Sequence, residues 1–280
     1  MKSVTLFDIK GKLYVPPPSS HKGQNGKLLI IAGSKLFHAA SLWPLKLASR
    51  IVDMVYYSSI PENNQIVQEA KKAFQDGIVI RRDQIDNYIA EADCVLIGPG
   101  LPREEGVREG DDDTQELTER LLKKYANKRW VIDGGSLQVM KPEWIPKGAI
   151  LTPHRREFDQ LFQTQNHNSK VKSLEELVNY YALTYQCVIL LKGKEDVVCS
   201  PEQCWVVEGG NSGMTKGGTG DVLAGLVAAL YCKNEAFLSA VAGSFINKRA
   251  GDELFQKQGY WFNSSDLVEQ IPQTMKRFFI

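Results

Sequence analysis

The chain lacks a long apolar run. Its longest, Leu28 to Ala32 and Val222 to Leu230, fall far short of the ~20 residues that cross a bilayer, so no membrane span is expected. It lacks an excess of either charge, with 34 Lys+Arg against 33 Asp+Glu in 280 residues and a net charge of +1. Gripping a nucleic acid or an anionic membrane needs a basic surplus on one face, and neither partner is expected. Asp8 and Lys10 interrupt the first apolar residues, which excludes a signal-peptide core and points to a cytoplasmic protein. The five cysteines, at 94, 187, 199, 204 and 232, contain no CxxC pair. They read as reduced thiols packed as small hydrophobes rather than as metal or redox centres. No Gly/Ser or Pro-rich linker and no internal repeat divides the chain, so residues 1–280 read as one domain.

What is present is material for a core. Hydrophobic residues make up 43% of the chain, and a chain of this length buries about three quarters of its unfolded surface without staples. Strands are expected at Lys27 to Ala32, Met54 to Ser58, Gly77 to Ile80, Cys94 to Ile97, Trp130 to Ile132, Ala149 to Leu151 and Cys187 to Leu191. Several are apolar at every position, the pattern of strands covered on both faces. The fold class that follows is α/β: a three-layer α/β/α arrangement around a mostly parallel sheet. Helices are expected near 39–52, 62–75, 114–126, 155–163 and 174–185, the last opened by Ser173 and Glu176 in capping-box spacing. A hairpin is expected over Asp196 to Cys199 and Cys204 to Val207, then helices near 219–231, 235–252 and 264–278. Two segments read as solvated. They are the acidic stretch Glu104 to Glu116, whose crowded carboxylates repel one another into water, and the stiff Pro16 to Pro18 lead-in.

Four strand ends carry glycine or polar residues that a core does not need: Gly33-Ser34, Gly98-Pro99-Gly100, Asp133-Gly134-Gly135 and Thr152-Pro153-His154. In an open α/β sheet, ligands gather at the carboxyl ends of strands, so these four suggest one crevice. The strongest local signal is Gly213 to Asp221, GMTKGGTGD, running directly into the apolar helix. Glycines let the amides of Gly218, Thr219 and Gly220 converge, and the helix start adds positive potential, which makes an anion hole suited to phosphate. The P-loop spacing fails because Gly218 is followed by Thr219 and Gly220 rather than Lys-Thr; the GxGxxG dinucleotide fingerprint is absent. Asp221, inside this turn, is either an ordinary first-turn cap or a general base toward a hydroxyl that attacks a phosphoryl group. The density of glycine around it favours the base.

These residues resemble a known family. GGTGDVLAG (Gly217 to Gly225), preceded by Asn211 to Met214, is similar to the signature of the ADP/ATP-dependent NAD(P)H-hydrate dehydratases of the ribokinase-like superfamily. Further blocks follow in the family's order: Ser20 to Gly23, Gly26 to Ser34, Ile97 to Leu101, Val131 to Asp133, Leu151 to His154 with Glu157-Phe158, and Leu191 to Gly193. The resemblance covers about residues 14–255. It implies a repair reaction in which the S epimer of hydrated NADH or NADPH is dehydrated at the expense of ADP or ATP. Mg²⁺ would bridge the nucleotide phosphates without a protein metal cluster, and the assembly would be a homo-oligomer such as a tetramer. Carried over position by position, substrate contacts fall on Ala40, Gly100, His154 and Asp221, with Asp221 catalytic. Nucleotide contacts fall on Lys192, Gly193, Lys194, Glu195, Asp196 and Gly220. His154 has a competing structural reading, as a loop histidine bonded to backbone.

The chain departs from the family's pattern in places. It has Phe37-His-Ala-Ala-Ser41 where Tyr-x-Gly-Ala-Pro is usual, Asp133-Gly-Gly-Ser-Leu137 where Asp-Ala-Asp-Ala-Leu is usual, and Asp196 where a small or hydroxyl residue is usual. Two rival readings stay open on the residues alone: a small-molecule kinase of the same fold that stops at the phosphorylated product, and a nucleotide-binding relative without catalysis.

Overall fold

The computed structural model describes residues 2–103, 107–164 and 173–280. Ten strands among the described residues form one sheet: β1 Lys2–Ser3, β2 Lys27–Ile31, β3 Met54–Ser58, β4 Ile78–Val79, β5 Cys94–Ile97, β6 Arg129–Ile132, β7 Ile150–Leu151, β8 Val188–Leu191, β9 Asp196–Cys199 and β10 Cys204–Val207. The order is β1-β10-β9-β8-β7-β6-β5-β2-β3-β4, and every pairing is parallel except those on either side of β9. The helices are α1 Leu6–Ile9, α2 Ala39–Ala48, α3 Pro61–Ala70, α4 Ile85–Glu91, α5 Thr114–Lys124 and α6 Gly134–Val139. They continue as α7 Arg155–Phe162, α8 Leu174–Thr184, α9 Thr219–Tyr231, α10 Ala236–Gln258 and α11 Ser264–Phe279.

Alternation along the strands splits the core in two. Leu28, Ile30, Tyr57 and Leu96 pack with residues of α2, α9, α10 and α11 on one face. Leu29, Ile31, Val95 and Ile97 pack with Ile85, Leu121, Phe158 and Val178 on the other. Because successive side chains point to opposite faces, strands apolar at every position need helices on both sides, and the three expected layers are found. The expected elements are present, with α2 and α3 ending earlier, at Ala48 and Ala70, and α10 running on to Gln258.

Two expectations are corrected. Cys199 and Cys204 are not free thiols: they face each other across the β9–β10 register, with Cα atoms 4.1 Å apart, and are joined in a disulfide. The cause is hairpin pairing across a four-residue turn, a relation that no CxxC search detects. Cys94, Cys187 and Cys232 are buried free thiols, as expected. The acidic stretch, apart from Glu104 and Glu105, which lie outside the described residues, is not merely solvated. Asp111 accepts the amides of Lys35 and Arg108, both at 2.9 Å, Asp112 pairs with Arg82, and Asp113 caps α5 through the Glu116 amide.

Helices α2 and α9 cross in close contact at one glycine, since a Cβ on Gly225 would stand 2.7 Å from the Pro44 Cα. A larger side chain must separate the helices or distort both. We therefore expect Gly225→Val to destabilise the fold by about 1–3 kcal/mol, read as a lowered urea midpoint; an unshifted midpoint would mean that the helices are free to part.

Candidate active site

Parallel strands bring their carboxyl ends to one edge of the sheet. There Gly33, Gly98, Asp133, Thr152 and Lys192 follow β2, β5, β6, β7 and β8. Asp133, 2% exposed, accepts a hydrogen bond from Thr152 Oγ1 at 2.8 Å and one from the Lys192 ammonium at 2.9 Å. A Cβ on Gly98 would lie 1.8 Å from the Asp133 carbonyl, so only glycine lets β5 close this tightly on Asp133. A Cβ on Gly100 would stand 2.6 Å from that of Ala40, which places two of the expected substrate residues against each other. One on Gly220 would stand 3.4 Å from Lys192 Nζ. The crevice closes on itself through α2: a side chain at Gly218 (φ 92°) would strike the Trp43 ring, and Trp43 stands one helical turn beyond Ala40. Ala40, Gly100, Asp133, Lys192 and the Gly218–Asp221 turn thus lie around one site.

Asp221 sits in the first turn of α9 with Lys192, Asp133 and Glu157 acting on it. Burial pushes its carboxyl up to about 7; the negative charges of Asp133 and Glu157 add to the rise, and Lys192 and Arg103 oppose it. Burial works against the charge of Lys192, but Asp133, Glu157 and Asp221 hold the ammonium above its ordinary range. The arrangement is a fixed cation among three carboxylates, one of them poised to give or take a proton near neutrality. At the anion turn, the Thr219 amide is already directed at the Lys216 carbonyl, 3.4 Å away, and its hydroxyl at the Met214 carbonyl, 2.7 Å away. Among the described residues the amides of Gly220 and Asp221 have no backbone acceptor, as expected where the carbonyls four residues earlier precede the helix.

His154 caps α7. Its Nδ1 accepts the Glu157 amide at 3.2 Å, its own amide donates to Glu157 Oε2 at 2.9 Å, its ring is partly exposed, and its backbone forms an isolated parallel β-bridge with Lys192. The competing structural reading, a loop histidine bonded to backbone, describes these contacts. Beside the anion turn lies a cavity of about 540 Å³, lined by Lys192, Lys194, Gly210, Gly220 and Asn247 among others. Two expected nucleotide positions differ from Lys192, Gly193 and Lys194 in their setting. Glu195 faces away, into a groove with Glu175, Glu176 and Glu208. Asp196 is among the cavity's lining residues but is 5% exposed, and its carboxylate accepts from the Gly193 amide (2.9 Å) and Ser244 Oγ (2.7 Å) and pairs with the Lys248 ammonium (3.3 Å).

Sequence reasoning missed Lys248, which also donates to the carbonyls of Gly193, Lys194 and Gly209 and so ties together the two loops that wall the cavity. It also missed Asn247, buried with an unpartnered Oδ1. Both stand in the middle of α10, where no local signal marks them. The only hint was Asp196, an acidic residue next to an apolar strand, which called for a buried cation.

The chain matches the family model described as NAD(P)H-hydrate dehydratase over residues 28–273. It is similar to the bifunctional NAD(P)H-hydrate repair enzyme Nnr of Methanocaldococcus jannaschii, 36% identical over 93% of this chain and 50% of that protein. The chain thus spans about half the length of this relative and of its counterpart in Archaeoglobus fulgidus. It is also 31% identical to the ADP-dependent (S)-NAD(P)H-hydrate dehydratase of Nitrosopumilus maritimus over 99% of both chains. Among solved structures it resembles a ribokinase-like superfamily protein of Enterococcus faecalis, with a TM-score of 0.84 at 20% identity, covering 99% of this chain and 96% of that one. It likewise resembles the ADP/ATP-dependent NAD(P)H-hydrate dehydratase of Bacillus subtilis co-crystallised with ATP and Mg²⁺, at 0.77, 23% identity, and coverage of 99% and 98%. The fold is ribokinase-like.

Because the folded chain keeps the Asp221 proton to a higher pH than the unfolded chain does, the group favours folding below the ordinary carboxyl range near 3.8. That contribution fades as pH rises through about 7. Asp221→Asn should therefore gain stability relative to wild type between pH 4 and pH 7.5 in urea titrations. A constant difference across that window would mean an ordinary, solvated carboxylate.

Proposed function

Because the chain belongs to the NAD(P)H-hydrate dehydratase family, we propose that it uses ADP or ATP to convert the S epimer of hydrated NADH or NADPH back to the reduced cofactor. The observation that carries this reading is the Asp221 carboxyl, raised to about 7 beside the fixed Lys192 ammonium, at a helix start that opens on a nucleotide-sized cavity. Hydroxide is a poor leaving group, and the two-step chemistry removes that obstacle.

Asp221 takes the proton of the ring hydroxyl as its oxygen bonds to the terminal phosphorus, and the bond from that phosphorus to the rest of the nucleotide breaks. Lys192 and the amides of Gly220 and Asp221 stabilise charge on the transferring group. The ring nitrogen's lone pair then expels phosphate from the adjacent carbon, and loss of a proton from the neighbouring carbon restores the double bond. The nucleotide tail would occupy the cavity beside the anion turn.

Mg²⁺ fits as an ion that arrives with the nucleotide: among the described residues no three His, Cys, Asp or Glu side chains converge to hold a metal. It would be bound by the phosphates and water, and would neutralise phosphate charge. Hydrated NADH with ADP or ATP and Mg²⁺ should regain absorbance at the reduced-nicotinamide band, and Asp221→Asn should lower kcat by about 10²-fold or more while leaving the fold intact. A stable phosphorylated product without recovery of that band would overturn dehydration in favour of simple kinase chemistry.

A further inference from the structure

Beneath the first turn of α2 lies a polar network that the reaction above does not use. Ser41, Tyr57, Ser59 and Asn63 are all 0% exposed. Asn63 Nδ2 faces the hydroxyls of Ser41 (3.0 Å), Tyr57 (2.9 Å) and Ser59 (3.1 Å), and Asn63 Oδ1 faces His38 Nδ1 at 3.3 Å. Gly33 leaves room for it, since a Cβ there would sit 2.0 Å from Asn63 Nδ2 and 2.1 Å from Ser41 Oγ.

The network determines which nitrogen of His38 carries the proton. Ser59 has one hydroxyl proton and directs it to the Gly33 carbonyl at 3.2 Å, so toward Asn63 it can only accept. The Asn63 amide nitrogen must therefore face Ser59, which leaves Oδ1 toward His38. An amide oxygen only accepts, so His38 Nδ1 must be the protonated nitrogen, and in the neutral ring Nε2 is a bare acceptor. Among the described residues Nε2 has no partner, and the ring is half-buried. His38 is the N-cap residue of α2, between Phe37 and Ala40, which both stand against Gly100. Its neighbour Phe37 places a carbonyl 3.0 Å from where a Cβ on Gly100 would be, and Trp43, farther along α2, covers Gly218 beside Asp221.

We propose that His38 is a substrate-contact residue whose Nε2 accepts a hydrogen bond from an N–H or O–H donor of the hydrated nicotinamide nucleotide, with the Asn63 network holding the ring in the accepting tautomer. This rests on the dehydratase reading. A core built to present one bare acceptor to a crevice selects a ligand that carries a donor at that point, and a ligand without one leaves the acceptor unpaired.

The test compares wild type, His38→Phe and His38→Gln by the KM for hydrated NADH, the ADP dissociation constant from calorimetry, and the thermal midpoint. His38→Phe is expected to raise the KM for the hydrate about tenfold while the ADP dissociation constant stays within about twofold, and His38→Gln, which keeps an acceptor oxygen, to recover part of the loss. The hydrated 3-acetylpyridine analogue has a methyl in place of the carboxamide nitrogen. If wild type and His38→Phe converge on it, the contact is to the carboxamide; if the gap persists, the contact is to a sugar hydroxyl. Either outcome supports the contact. An unchanged hydrate KM in a folded, active His38→Phe overturns it, as does an equal loss of hydrate and ADP binding with a lowered midpoint, which marks a purely structural role. A wild-type protein that dehydrates nothing overturns the dehydratase reading and this inference together, and that failure is distinct because it precedes any comparison of variants.

Discussion

The ion pair between Lys192 and Asp133 is the interaction on which the site depends. Removing two charges from water is costly, and such a pair persists only where further hydrogen bonds satisfy it. Here Thr152 supplies one, and Glu157 and Asp221 supply additional negative potential around the ammonium. The pair joins the ends of β6 and β8, with β7 between them providing Thr152, so three neighbouring strand ends are held in register by one cation. With its charge partly answered by Asp133, Lys192 does not pull Asp221 down to an ordinary carboxylate, and the net effect of burial and like charge prevails. On the proposed reaction, charge for a phosphoryl group and a base for its acceptor would come from the same small cluster.

Around that cluster, close approach of backbone does the positioning. Gly218 admits the Trp43 ring, Gly225 admits Pro44, and Gly98 admits the Asp133 carbonyl. Each contact brings a wall of the crevice nearer than any side chain would allow. The glycines of the GGTGDVLAG stretch thus have separate tasks: some shape the anion turn, and Gly225 seats the helix behind it.

The layers of the fold were legible because fully apolar strands leave little choice, and the Gly217–Asp221 turn was legible because its chemistry is local in the chain. Ala40 stands against Gly100, and Lys192 lies near Gly220 and Asp221. What was not legible is long-range: Lys248 lies 52 residues from Asp196, and nothing in the pattern of α10 sets it or Asn247 apart from other polar residues of a long helix. The buried partners of Asp196, Ser244 and Lys248, lie similarly far along the chain and leave no trace in the pattern around it. The Ser20 to Gly23 block, by contrast, matched the family pattern but is tied down by Asp53, which accepts the Gly23 and Asn25 amides. Helix α6 escaped notice because it opens on two glycines, which read as a loop.

The reversal of β9 has a topological consequence. In a sheet made only of parallel crossovers, each strand delivers one loop to the ligand edge and must then return along a helix to start again. Running one strand backwards between β8 and β10 brings two successive loops to that same edge with no intervening helix, and Lys248 laces them together from behind. Most of the chamber's lining therefore comes from residues 192–223, joined by Asn247 and Lys248 of α10. Apart from Lys192 and Asp221, which belong to the charged cluster, changes in length or composition within that stretch would reshape the chamber while leaving the ends of β6 and β7 in place.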